Sequence, residues 1–201
     1  MSLPTTYSIR LPSWVEEEAA TADLSTDEGK MELVNRLARR NFKEKTGGPF
    51  AAIVVEGDQL ISAGVNLVLA SGLSGSHAEV VALGLAQTAV GSWDLGADGA
   101  KRELIVNWRP CVQCYGATMW SGVTRLVVAG DGPELERLTK FDEGPMVADW
   151  AAQFEARGIS VAQDVLREQA LDVYREYGEF VAAGDVTVYN ARGAGAIEKI
   201  E

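Results

Sequence analysis

One histidine and two cysteines occur in this 201-residue chain, and all three stand in two short motifs, His77-Ala78-Glu79 and Pro110-Cys111-Val112-Gln113-Cys114. Donors of these types suit zinc, and a catalytic zinc site takes three protein ligands while leaving a fourth position open for water. No further His or Cys is present to close that position. Zinc lowers the pKa of water towards neutrality, and a carboxylate beside the metal can move the protons. Glu79, next but one to His77, is that carboxylate, so the chemistry indicated is hydrolysis. Taken alone, the Cys-x-x-Cys could be a redox pair, and Glu79 could be a helix-start glutamate favoured by the backbone dipole.

The motifs need helices to carry them. Val80, Leu83 and Leu85 fall at helical spacing and predict a helix over 77–90 with Ser76 as its N-cap. Pro110 opens a second helix running to Trp120, so the ligands sit at helix N-termini, where the dipole favours thiolates. Strands predicted over 103–107 and 124–129 flank that helix, which implies a parallel pair with a right-handed crossover. Runs over 50–55 and 59–65, joined at Gly57-Asp58, read as a hairpin. An amphipathic helix spans 28–45, capped within Ser25-Thr26-Asp27 and stopped at Gly47-Gly48. Further helices are expected from Pro133, over 147–156 and over 166–182, with one more strand over 159–162. One domain over 28–188 is expected, with an acidic N-terminal arm over 1–27 and a C-terminal tail over 189–201.

The net charge of −11 opposes nucleic acid as a partner, since Lys and Arg supply most affinity for phosphates. No apolar run approaches the length of a membrane span, and the paired cysteines leave no disulfide framework. The expected setting is the cytoplasm, with a neutral small molecule as substrate.

H-x-E combined with P-C-x-x-C is the signature of the zinc deaminases. The chain resembles the cytidine deaminase-like superfamily, and most of all its guanine deaminase branch, through Gly47-Gly48-Pro49-Phe50, Gly64-x-Asn66, His77-Ala78-Glu79-Val80, Pro110-Cys111-x-x-Cys114-x-Gly116-Ala117 and Phe141-Asp142-Glu143. The resemblance implies an α/β fold, a three-layer α/β/α sandwich around a mixed five-stranded sheet, with one Zn2+ per chain. It also implies a homodimer whose C-terminal tail contributes to the neighbouring site. By the same resemblance His77, Cys111 and Cys114 hold the metal and Glu79 is the general acid and base. Glu143 is a second carboxylate that accepts from N–H groups or relays a proton. Phe50 and Trp120 pack against the heterocycle, Asn66 hydrogen-bonds it, Ala78 offers a backbone N–H and Tyr189 acts as a lid.

Each of these residues also has a plainer role open to it: core packing for Phe50 and Trp120, a turn for Asn66, a helix cap for Glu143, an ordered tail for Tyr189. The implied reaction is hydrolytic deamination of guanine or a guanine-like purine, triazine or pterin. Deamination of cytosine or a nucleoside is the alternative, and a non-catalytic zinc-binding relative is the alternative of another class. Asn107-Trp108-Arg109 and Gln113 depart from the branch pattern, which commonly has a glutamate before Pro-Cys and a methionine between the cysteines.

Overall fold

The computed structural model describes residues 3–190 and the backbone at 193–194. Its elements run α1 (Trp14–Ala19), α2 (Asp27–Lys43), β1 (Ala51–Glu56), β2 (Gln59–Val65), α3 (Val68–Ser71), α4 (Ala78–Val90), β3 (Arg102–Val106), α5 (Val112–Trp120), β4 (Arg125–Val128), α6 (Glu134–Thr139), α7 (Trp150–Glu155), β5 (Ser160–Ala162), α8 (Arg167–Ala183), β6 (Tyr189–Asn190) and β7 (Gly193–Ala194). The central sheet is five-stranded and mixed, in the order β2-β1-β3-β4-β5. β1 is antiparallel to both β2 and β3, whereas β3, β4 and β5 run parallel. β1 and β2 turn at Gly57, whose φ of 63° needs a residue without a Cβ clash.

Alternation along the strands makes the three layers. Ala51, Ile53, Val55, Ile105 and Val127 point to a core shared with α1, α2, α6 and α8. Ala52, Val54, Leu104, Val106, Leu126 and Val128 point to the opposite core, shared with α4, α5 and α7. Both faces of the sheet are therefore buried, as parallel strands with crossover helices require. α2 is capped by Thr26, whose hydroxyl accepts from the Gly29 N–H at 3.1 Å. α1 adds Trp14 and Val15 to the first core, and Arg40 lies over the Trp14 ring at 5.2 Å. Residues from 14 onward are thus part of the domain body and not a separate arm, because these apolar side chains gain more from burial than from solvent.

The helices that carry the motifs, α4 and α5, start one and two residues later than the sequence suggests. His77 itself, extended at φ −68° and ψ 155°, is the N-cap of α4, and Ser76 instead accepts from the Ser71 hydroxyl at 2.9 Å. Cys111 is likewise the N-cap of α5. Both caps stand at one edge of the sheet, where β2 and β3 end and β1 begins.

Gly64 sets how closely α4 approaches that edge. A Cβ there would run into the Ala78 carbonyl and the Ala82 amide at the helix start. Gly64→Ala should lower the unfolding free energy by about 1–3 kcal/mol, the usual range for overpacking, with a shifted urea midpoint as the readout. An unchanged midpoint would show that α4 is free to slide on β2.

Candidate active site

The donor atoms of His77, Cys111 and Cys114 lie within 4.8 Å of one another. His77 Nδ1 stands 3.4 Å from the Cys111 sulfur and 3.5 Å from the Cys114 sulfur. Tetrahedral ligation with Zn–N of about 2.0–2.1 Å and Zn–S of about 2.3 Å sets such a nitrogen–sulfur separation near ~3.5 Å. The triad therefore fits zinc in distance as well as in donor type. Hydrogen bonding from Cys114, aided by His77, lowers the Cys111 thiol to about 4. Burial and the hydrogen bond to Cys111 push Cys114 well up.

A cavity of about 280 Å³ opens beside the triad, close to the lower end of small-molecule pockets. The structure brings Phe50, Asn66, His77, Ala78, Glu79, Cys111, Glu143 and Tyr189 to its walls. Glu79 follows Ala78 in the first turn of α4, and Ala78 offers an N–H that no preceding turn can satisfy. Glu79 and Glu143 are 6% and 8% exposed. Burial is the main cause raising the pKa of each, followed by the charge of Cys111. Two carboxyls so placed hold protons further into the neutral range than surface acids do.

Asn66 is oriented by its surroundings. Its Oδ1 accepts from the amides of Gly48 and Val68, each at 3.4 Å, and its Nδ2 donates to the Tyr189 hydroxyl at 2.5 Å. Asn41 holds the same loop from behind, donating to the Gly48 carbonyl at 2.8 Å and the Asn66 carbonyl at 2.9 Å. Asn107 ties β3 to the loop before β1 through the Pro49 carbonyl at 2.9 Å and the Ala51 amide at 3.2 Å. Phe50 packs edge-on to Phe141 at 5.2 Å between centroids.

Trp120 is a correction. It is 79% exposed and lines a different groove with Tyr7 and Ile9, because the end of α5 turns that side chain away from the triad. It does not stack on anything in this chain's cavity. The aromatic walls are instead Phe50, Trp108 and Phe141. Trp108 carried no periodic signal, being in the loop after β3, although its place three residues before a ligand was one. Arg109, one of the departures from the expected branch pattern, lines the cavity and pairs with Asp131 at 2.6 Å. Asp131 also accepts from the Trp150 indole at 2.8 Å. The reversed charge is therefore matched by a local anion, which pins the Pro110-Cys111 turn. Gln113 reaches the Ser74 carbonyl at 3.5 Å, at the cavity mouth. Of the tail expected over 189–201, only 189–190 and the backbone at 193–194 are among the described residues.

Comparison with known proteins agrees with this geometry. Residues 24–130 match the model of the cytidine and deoxycytidylate deaminase zinc-binding region. The structure of a guanine deaminase from Nitrosomonas europaea is similar at 39% identity and a TM-score of 0.81, covering 89% of this chain and 100% of that one. A structure of NE0047 in complex with 2,6-diaminopurine is similar at 42% identity and a TM-score of 0.80, covering 92% and 97%. A guanine deaminase of Bacillus subtilis (strain 168) is 29% identical over 132 residues, 66% of this chain and 81% of that protein. With a matching zinc-binding region over more than half its length and a triad spaced for the metal, the chain belongs to the cytidine and deoxycytidylate deaminase family as a zinc-dependent deaminase.

Proposed function

We propose that the chain hydrolyses guanine or a guanine-like base to the corresponding oxo compound and ammonia. The observation that carries this reading is the pairing of two buried carboxyls, Glu79 and Glu143, on one small cavity beside the triad. Guanine presents an edge rich in N–H donors, which two carboxyls and the walls of Phe50, Trp108 and Phe141 would suit. The similarity to a guanine deaminase and to a structure holding 2,6-diaminopurine supports the same substrate class.

His77, Cys111 and Cys114 would hold zinc, which when bound would supply the Lewis acidity that makes water nucleophilic near neutral pH. In the proposed reaction Glu79 takes a proton from the attacking water and gives it to the ring nitrogen, then takes the remaining hydroxyl proton and gives it to the leaving amine. Glu143 accepts from substrate N–H groups or relays a proton from the other side of the cavity. Asn66 and the Ala78 N–H orient the ring, and Phe50 packs on its face. Tyr189 covers the pocket, holding out water. One water enters and one ammonia leaves, so the step balances without a further reactant.

A homodimer belongs to this reading. Tyr7 and Trp120, 81% and 79% exposed, line a wider groove beside α4 and α5, an apolar face that a second copy of the chain would cover. No helix among the described residues is long and apolar enough to cross a membrane. A polynucleotide substrate is disfavoured by the charge of −11.

Glu79→Gln should retain zinc, read by elemental analysis, while kcat for ammonia release from guanine falls by about 10²–10⁴-fold, the usual contribution of a general acid–base group. Loss of less than about tenfold would remove Glu79 from the proton path. Ammonia release from cytidine but not from guanine, in a panel of bases, nucleosides and aminotriazines, would overturn the substrate class while leaving the zinc chemistry intact.

A second prediction concerns pH. The folded pKa of Glu143 is raised by burial, so the native state keeps its proton where the unfolded chain has released it. Its contribution to stability is present below the ordinary carboxylate pKa and is lost as pH rises towards the folded value. Glu143→Gln removes that loss. The melting temperature of the variant minus that of the parent should rise, towards more positive values, as pH goes from about 5 to about 8. A constant difference would mean that the carboxyl is charged throughout.

A further inference from the structure

The turn that carries Glu143 is not self-supporting. Lys140, at its start, adopts φ 69° without being glycine, a conformation that neighbouring contacts must hold in place. On one side the turn leans on α5, where the Val112 amide donates to the Glu143 carbonyl at 3.1 Å. From behind, the Glu143 amide donates to Glu136 at 3.4 Å. The remaining side faces β6. There the Asn190 side chain spans the turn with both ends of its amide: Oδ1 accepts from the Asp142 N–H at 2.9 Å, and Nδ2 donates to the Lys140 carbonyl at 3.2 Å. Asp142 in turn accepts from the Gly144 amide at 2.9 Å, so the tie reaches both neighbours of Glu143.

We propose that Asn190 is a positioning residue for Glu143, fastening the 140–144 turn to the C-terminal strand so that the second carboxyl is held against the cavity. The proposal rests on the reading of Glu143 as a functional carboxyl, and it extends that reading to a residue that the family motifs do not include. Asparagine fits the task because its side chain carries a donor and an acceptor on one rigid amide, matching the carbonyl and N–H that the turn presents two residues apart. β6 is itself fixed at a second point, since Tyr189 accepts from Asn66 and its ring packs edge-on to Phe141 at 5.1 Å. Order in the strand is thereby converted into order at Glu143.

The test is Asn190→Ala in the zinc-loaded protein, alone and combined with Glu143→Gln, with guanine as substrate. Amide hydrogen exchange at 140–144 reports the tie directly and should become faster in Asn190→Ala, with zinc content unchanged. The variant should lose about tenfold in kcat in the parent background, but less than about twofold when Glu143 is already Gln, since a residue acting through Glu143 has nothing left to position. Equal losses in both backgrounds, or unchanged exchange, would overturn the proposal. If Glu143→Gln alone kept parental activity, the reading of Glu143 would fall, and the exchange result would still decide whether Asn190 holds the turn. A melting temperature for each variant separates this effect from general destabilisation, which would lower kcat in both backgrounds alike.

Discussion

Everything in this molecule is arranged around the need to hold one imidazole nitrogen about 3.5 Å from two sulfurs. The residues concerned lie 34 and 37 positions apart, so no local turn can bring them together. The solution is two helix N-termini delivered to one sheet edge. β1 pairs antiparallel with β2 and β3, which places the ends of β2 and β3 beside the beginning of β1. The loops leaving β2 and β3 then lead to α4 and α5. Gly64 lets α4 sit low enough on β2 for its cap, His77, to meet the cap of α5, Cys111.

That edge is expensive to build. It gathers two thiols and two nearly dry carboxyls, groups whose ionised forms repel one another and lose solvation when buried. The fold offsets this locally. Helix N-termini favour negative charge at the cysteines, and the indicated cation is matched in donor set and spacing. Arg109, balanced by Asp131, adds a fixed positive charge close to Glu143, lowering its pKa against the larger effect of burial. A cluster of this kind is poor for stability and good for proton transfer. The parts of the chain that do stabilise the fold, the two apolar layers on either side of the sheet, lie behind it.

The metal triad was legible because the chain has no other histidine or cysteine and because H-x-E with P-C-x-x-C is a signature of zinc deaminases. The hairpin, the parallel β3–β4 pair and α8 were legible from apolar spacing and turn residues. Side-chain direction at the end of a helix was not used, and that is where the reading of Trp120 failed. At about 100° per residue, position 120 lies roughly 120° around α5 from Cys114, so a helix that aims Cys114 at the metal aims Trp120 elsewhere. Trp108 and the Arg109–Asp131 pair escaped for another reason. They belong to loops whose shape is set by tertiary contacts, and the partner of Arg109 lies 22 residues away with no periodicity to connect them.

Selectivity in such a cavity follows from its dryness. Hydrophobic walls alone reject a wrong base weakly, whereas buried polar groups left without partners reject it strongly. Here Asn66 is the instructive case. Its Oδ1 is already committed to two backbone amides, and its Nδ2 meets the Tyr189 hydroxyl. Tyr189 takes only one of the two Nδ2 hydrogens, so a base can accept from the other, and only a ring presenting an acceptor at that point satisfies it. A ring lacking it would leave a buried N–H unsatisfied, at about 1–3 kcal/mol, or one to two orders of magnitude in affinity. In the proposed reaction the covering tyrosine thus orients the asparagine that reads the ring, so the pocket wall and the choice of substrate are linked through one hydrogen bond.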